Sequence, residues 1–209
     1  MRGIGGVFSF DSLLPALIGV AATGAARGFD DHVAFPDGAD SDFGELGNGF
    51  GNPVFVAVAA SGLLLGGRAA SAGSFRNASY DLFAATTVNF LYTETLKRTI
   101  DRTRPNGLNN KSFPSGHTSN TFAWATVIDH HFGTKLGLPM YAFATLVAGS
   151  RIHRGSHFLS DVVAGAAIGF ITARSVVRSA DEPLGERRLT LVPIVGPRGQ
   201  RGMAVVMAF

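Results

Sequence analysis

The chain has 209 residues, enough for one domain around a single core, with 46% hydrophobic and 16% charged residues and a net charge of +3. It contains no cysteine, which excludes a disulfide scaffold, thiolate metal sites and thiol catalysis. The acids are uneven: Asp30, Asp31, Asp37, Asp40, Asp42 and Glu45 all fall within residues 28–52, which leaves an excess of nine basic residues on the remainder and favours anionic partners such as phosphate esters, nucleic acid or anionic lipid.

In chain order, the opening MRGIGGVFSFDSLLPALIGVAATGAARGF holds an apolar run without a compact basic start and with Asp11 inside it, a poor signal-peptide pattern. Its apolar part predicts a first helix over 12–27. Residues 28–52 form a connection too long for an ordinary helix turn and read as a solvated loop or lid; the DxDxDG spacing of a calcium loop is absent. Ala-rich apolar segments then predict helices over 53–70, 79–98, 117–132, 138–150 and 161–178. Pro53 and Pro139 sit near expected helix starts, and Ser160 with Asp161 offers a cap for the last one. The end of the chain changes character. RLTLVPIV, GPRGQRG and MAVVMAF read as two strands around a turn, a short C-terminal β-hairpin over 187–209. The expected fold is a single all-α domain, a six-helix bundle whose Gly and Ala faces allow close approach.

A bilayer crossing needs about 20 apolar residues per helix. The charge-free windows 12–26, 82–93, 118–128, 136–150 and 162–173 are shorter, and the one longer window, 46–67, opens with the turn chemistry of LGNGFGNP. The windows predict a non-spanning helical domain.

Three separated stretches carry candidate chemistry. In KRTIDRTRPNG, Lys97 and Arg104 lie seven residues apart, so on one helix running to Pro105 they share a face. In KSFPSGHTSNTFAW, a Pro-Ser-Gly turn precedes a helical run, so that Ser115 and Gly116 can aim a hydroxyl and backbone N–H groups at an anion with His117 at its edge. In SRIHRGSHFLSD, Ser150, Arg151, His157 and Asp161 fall between two helices. A carboxylate four residues after a histidine can accept one ring N–H and leave the other nitrogen free to attack, although Asp161 could equally be only a helix cap.

Read together as Lys-x6-Arg-Pro, Pro-Ser-Gly-His and Ser-Arg-x5-His-x3-Asp, in that order, these stretches resemble the type 2 phosphatidic acid phosphatase and vanadium haloperoxidase superfamily over about residues 80–175. The resemblance implies a phosphate pocket of Lys97, Arg104 and Arg151 with Ser115 and Gly116 as further donors. It also implies a nucleophile at His157, oriented by Asp161, and a general acid at His117. Physical reasoning reaches similar roles, since a transferring phosphoryl group spreads negative charge over its equatorial oxygens and needs fixed positive charge around it. The expected activity is metal-independent hydrolysis of phosphate monoesters, including lipid phosphates or diphosphates, through a phosphohistidine. No cofactor is expected, although vanadate could occupy the phosphate site.

A vanadium-dependent haloperoxidase or a non-catalytic anion-binding module are the alternatives. The expected partner is a phosphorylated small molecule or lipid, not nucleic acid, with the oligomeric state left open. The resemblance permits a soluble periplasmic enzyme, a membrane-associated one or an integral inner-membrane protein on the extracytoplasmic side.

His153, His157 and Asp161 recur at metal-ligand spacing, but Arg154 adds a cation there and no metal site is expected. Arg98 and Arg102 match no motif position and read as solvated or as complementing the helix dipole. His130 and His131 read as ordinary residues at a helix end, Phe122 and Trp124 as core, and Asn89, Thr93 and Glu94 as packing or surface positions.

Overall fold

The computed structural model describes residues 10–32, 42–181, 188–195 and 201–208. Helix α1 (Phe10–Arg27) leads into a 3-10 turn, Asp30–His32, and is followed by α2 (Asp42–Phe50), α3 (Pro53–Ala69), α4 (Gly73–Ile100), α5 (Gly116–Phe132), α6 (Thr134–His153) and α7 (Leu159–Asp181). Strands β1 (Arg188–Val195) and β2 (Arg201–Ala208) pair antiparallel, with Arg188 opposite Ala208 and Val195 opposite Arg201, close to the expected hairpin.

The helix ends follow local chemistry. Asn52 caps α3, its Oδ1 accepting from the N–H groups of Val54 at 2.8 Å and Phe55 at 3.4 Å, while Pro53 takes the first helical position where no N–H is needed. Gly133, at φ +77°, turns the chain between α5 and α6 and returns its N–H to the Asp129 carbonyl at 2.9 Å. Helix α4 stops at Asp101, which adopts the left-handed conformation at φ 47°.

That stop corrects one expectation. Arg104 lies four residues beyond the end of α4, so it does not share a helical face with Lys97. Its N–H bonds to the Asn109 carbonyl at 3.0 Å instead, closing a small loop. A second correction concerns the acidic segment, in which residues 42–50 form α2; the described residues therefore hold seven α-helices instead of six, and residues 33–41 lie outside the described ones. Helix α6 begins at Thr134, which puts Pro139 inside it rather than at its start.

Helix α5 is the centre of the bundle and packs against α4, α6 and α7, while α1 covers α7, α3 covers α4 and α2 lies on α6. The core where α4, α5 and α7 meet is built from Leu82, Ala85, Val88, Ala123, Val127, Ala173, Val176 and Val177. The α5 and α7 backbones come close enough that a Cβ on Gly165 would lie 2.5 Å from the Ser115 carbonyl oxygen, and one on Gly169 would collide with the carbonyl oxygen of Ser119. Close approach of this kind needs residues without side chains.

The polarity of the bundle is unusual for a water-soluble protein. Its interior carries hydrogen-bonded polar groups: Asn89, with no exposed surface, donates to Ser119 Oγ at 2.8 Å and Asn120 Oδ1 at 2.7 Å. Buried Asp81 meets His131 Nε2 at 2.8 Å. Large apolar side chains face outward on several helices, among them Leu14 and Val20 of α1, Val54 and Val58 of α3, Phe90 of α4 and Leu138 of α6. Helix α7, over Leu159–Ala180, is long and apolar enough to cross a membrane by itself; α2 and α3 qualify only when taken together across a 48° bend.

Gly169→Ala forces α5 and α7 apart. The expected loss is about 1–3 kcal/mol of stability, the range for overpacking a close contact, read as a lower unfolding temperature. An unchanged midpoint would show that this contact does not set the helix spacing.

Candidate active site

All three candidate stretches meet at the end of the bundle where α4 finishes and α5 and α7 begin. Lys97, in the last turn of α4 and only 9% exposed, directs its ammonium into the following loop, donating to the Pro114 carbonyl at 2.6 Å and the Lys111 carbonyl at 3.1 Å. Two of its three hydrogens are therefore spent on holding residues 111–114, a segment that contains a cis Phe113–Pro114 bond. The third remains for an anion. Ser115 follows as the residue before α5. Its N–H is taken by the Asp161 carbonyl at 2.9 Å, and its hydroxyl oxygen accepts from Thr118 at 3.0 Å. Ser115 thus retains only its hydroxyl hydrogen for an anion, one donor fewer than the turn suggests from sequence. The N–H groups of Gly116 and His117 open α5 and have no acceptor within the helix.

His157 lies between α6 and α7 and is 1% exposed. Its Nδ1 is 2.6 Å from the Ser112 carbonyl oxygen, which can only accept, so Nδ1 carries the proton and Nε2 keeps its lone pair. Asp161 Oδ2 is farther from Nδ1, at 3.8 Å. The direct acceptor is therefore a backbone carbonyl and not the carboxylate expected from the spacing. Burial drives the His157 pKa down to about 4, with Lys97 and Arg104 acting in the same direction and Asp161 opposing them.

Asp161 supports this arrangement instead of touching the ring. As the third residue of α7 it accepts the N–H of Phe158 at 2.9 Å, the N-terminal half of a capping box, and so is part of a helix cap as well. The same Oδ2 accepts a hydrogen bond from the Ser112 hydroxyl, and Oδ1 accepts from Arg102 Nη1 at 2.6 Å.

Arg151, 4% exposed in the last turn of α6, donates from Nη1 to Asn48 Oδ1 at 2.7 Å and from Nη2 to Ser156 Oγ at 3.1 Å. Its buried Nε has no protein partner. A buried guanidinium N–H without an acceptor is costly unless a ligand answers it. Arg104 donates its Nε to Asn109 Oδ1 at 2.9 Å. His117 is near enough to Arg151, His157, Lys97 and Arg104 to feel the charge of each. Helix α2 and the residue after it close this side. A Cβ on Gly51 would stand 2.6 Å from His117 Cβ and 2.9 Å from its carbonyl oxygen, and Glu45 pairs with Arg154.

All eight residues singled out from the sequence therefore fall in one region. Four further residues are tied into it: Ser112, Arg102, Asp30 and Asn48. Ser112 is adjacent to a motif and acts through its carbonyl, which no residue type announces. Arg102 was visible only as one more cation in a basic run. Asp30 and Asn48 belong to the segment expected to be a solvated loop, and they reach the site across 72 and 103 residues of chain. His153 is held against Phe43, with ring centroids 5.5 Å apart, and among the described residues no group of three or more His, Asp or Glu is arranged for a metal ion.

An all-helical bundle that gathers three cations, two imidazoles and a buried carboxylate at one end defines an anion-handling site of the phosphoryl-transfer kind. The chain belongs to the PAP2 superfamily, whose family model matches residues 78–183. It is 37% identical over 78 residues to a lipid A 1-phosphatase of Porphyromonas gingivalis, a match that covers 36% of this chain and 18% of that protein. Among solved structures it is similar to a transmembrane PAP2 type phosphatidylglycerolphosphate phosphatase from Bacillus subtilis, with a TM-score of 0.60, 19% identity, and coverage of 82% of this chain and 96% of that one. It is also similar to LpxE of Aquifex aeolicus, with a TM-score of 0.52, 25% identity, and coverage of 85% and 99%.

Inorganic phosphate or vanadate is expected to bind here and raise the unfolding temperature. Arg151→Met, which keeps the volume of the side chain and removes its charge, should weaken that binding at least tenfold, since hydrogen bonds to charged groups are worth about 1.5–3 kcal/mol. Equal affinities by calorimetry would show that Arg151 does not contact the anion.

Proposed function

We propose that this protein is a phosphatase that removes the phosphate of membrane lipids through a covalent phosphohistidine. The observation that carries this reading is the His157 ring, whose Nδ1–H is spent on the Ser112 carbonyl so that Nε2 is left unprotonated among Lys97, Arg104 and His117.

The reaction follows from those positions. Lys97, Arg104 and Arg151, with the Ser115 hydroxyl and the N–H groups of Gly116 and His117, surround the phosphoryl oxygens. Nε2 of His157 attacks phosphorus, the bond to the leaving oxygen breaks, and the proton of His117 goes to that alkoxide. A bound phosphate dianion offsets the cations around His117 and favours its imidazolium, the form that can donate. In the second half His117 takes a proton from water, the resulting oxygen nucleophile attacks phosphorus, the P–N bond breaks, and inorganic phosphate leaves. Three cations supply the charge stabilisation that a metal ion provides elsewhere.

The lipid substrate is supported by the shape and polarity of the bundle. An apolar groove of about 430 Å³, lined by Phe50, Phe55, Trp124, Met140 and Phe143, also reaches Thr121, one turn of α5 beyond His117, and suits an acyl chain. The Porphyromonas gingivalis and Bacillus subtilis relatives are phosphatases of lipids by name. The outward Leu, Val and Phe of α1, α3, α4 and α6 support a bundle that sits in a bilayer with its site at one surface. The extracytoplasmic surface is the one that the sequence resemblance favours.

His157→Ala should abolish phosphate release from short-chain lipid phosphates, and acid-labile phosphate should be trapped on His157 of the parent; a variant as active as the parent would end the proposal. Activity should survive chelators. The protein should leave membranes only with detergent, and recovery in the aqueous fraction after lysis without detergent would overturn the bilayer placement.

The pH dependence has a definite sign. Because the His157 pKa is lowered, its neutral, attacking form persists to more acid pH than for an ordinary imidazole. Once ionisation of the substrate is divided out, the acid limb of kcat/KM should lie near pH 4 and not near the usual histidine value of about 6.5. A limb at the usual value would contradict the buried, hydrogen-bonded ring.

A further inference from the structure

We propose that Arg102 and Asp30, which lie outside every motif, are positioning residues that fix the Asp161 carboxylate and through it the proton of the nucleophile; the proposal rests on the phosphatase reading above. Arg102 occupies the loop after α4, in the basic run, where its position reads from sequence as solvated or as complementing the helix dipole. Its guanidinium is held on three sides. Nη1 donates to Asp161 Oδ1 at 2.6 Å and Ser160 Oγ at 2.7 Å, Nη2 donates to Asp30 Oδ2 at 2.8 Å, and its face covers the Phe158 ring with 4.0 Å from the central carbon to the ring centroid. Asp30, 5% exposed in the turn after α1, uses Oδ1 for the Ser160 N–H at 2.9 Å and Oδ2 for the Ser160 hydroxyl at 2.6 Å. A planar fork between two carboxylates is a task for arginine, since the single ammonium of lysine cannot span both in the same way.

The consequence lies in what Asp161 is prevented from doing. Arg102 takes Oδ1, and Ser112 and Phe158 take Oδ2, so the carboxylate is held 3.8 Å from His157 Nδ1. The Nδ1 proton goes to the Ser112 carbonyl, and Ser112 is itself held by Asp161. Without Arg102 the carboxylate loses its countercharge and one anchor. It can then turn towards Nδ1 and compete with the carbonyl for the proton. Ser112 is then released as well, so its carbonyl no longer holds the ring with Nε2 towards phosphorus, and the nearer carboxylate raises the pKa of the imidazole. The charged groups around His157 are Asp161 from α7, Lys97 from α4 and Arg104 from the loop, with His117 from α5 close by. Arg102 reaches the ring only through the first of these. Asp30 ties the end of α1 to the same assembly, so residues ahead of the part matched by the family model would share in setting the nucleophile.

The test compares Arg102→Gln, Arg102→Lys and Asp30→Asn with the full-length parent, and uses Arg98→Gln, an exposed cation from the same run, as a control. Phosphate release from a short-chain lipid phosphate is followed against pH, normalised to folded protein by circular dichroism. Arg102→Gln should lower kcat roughly tenfold to a hundredfold with KM changed less than about threefold. It should also move the acid limb upward by about one pH unit. Arg102→Lys and Asp30→Asn should fall between it and the parent, and Arg98→Gln should match the parent. A parent-like kcat and acid limb in Arg102→Gln overturn the proposal. Loss of activity that only tracks loss of folded protein in all three variants, with the limb unmoved, also overturns it and leaves the network a purely structural one. A parent that releases no phosphate sinks the phosphatase reading itself, a result separate from either of these.

Discussion

A carboxylate with no exposed surface is tolerated only if its oxygens are answered by donors, and Asp161 is answered by three: the Ser112 hydroxyl, the Phe158 N–H and the Arg102 guanidinium. Those donors come from the two ends of the single loop between α4 and α5 and from the residue ahead of α7, so one buried charge ties that loop to the start of α7. The backbone takes part too, since the Asp161 carbonyl receives the N–H of Ser115 where α5 begins. Satisfying Asp161 and assembling the site are therefore the same event. Removing the charge would leave Arg102 with Asp30 as its one carboxylate partner and would release the loop whose carbonyl holds His157.

The cations raise the opposite problem, because Lys97, Arg104 and Arg151 are brought together against their mutual repulsion. Each is anchored by neutral oxygen: Lys97 by two backbone carbonyls, Arg104 by Asn109, Arg151 by Asn48 and Ser156. Neutral acceptors fix the geometry without cancelling the charge, so positive potential is kept for an anion. The carboxylates of the region are directed elsewhere. Asp30 and Asp161 share Arg102, and Glu45 pairs with Arg154 at the rim. An anion-binding pocket lined by carboxylates paired to its own cations would have little left to offer.

Six of the helices were legible in the sequence because each is an Ala-rich apolar run bounded by glycine, proline or a polar cluster; most observed ends lie within three residues of the expected ones, while α4 begins six and α6 four residues earlier. The motif residues were legible because their chemistry is carried by side-chain type: lysine, arginine, histidine, aspartate. What escaped was whatever depended on backbone direction or on distant partners. No pattern announced that Asp101 would take a left-handed conformation and put Arg104 off the helix, or that a serine carbonyl would hold the His157 ring in place of Asp161. Helix α2 escaped because it is only nine residues long and three of them are glycines, which gives it little helix propensity of its own; it is held by contacts with α6 and with the Arg151 side chain, which are tertiary and not local.

The same distinction limits what charge-free windows can say about the length of the apolar helices. The window in α4 was cut at Asp81, yet that carboxylate is buried against His131. The window in α7 was cut at Asp161, which is wholly inside, and at Arg174, whose Nε is also buried. A charge that faces the interior interrupts a linear count without presenting itself to the surroundings. In water the burial of polar groups is offset by covering apolar ones, but here Asn89, Ser119, Asn120 and Thr118 are inside while Leu, Val and Phe line much of the outside. Hydrogen bonds between helices and close approach at Gly165 and Gly169 can hold such a bundle together without a hydrophobic driving force between the helices. Helices held in that way need no water around them, and their apolar rim is the surface that acyl chains solvate best.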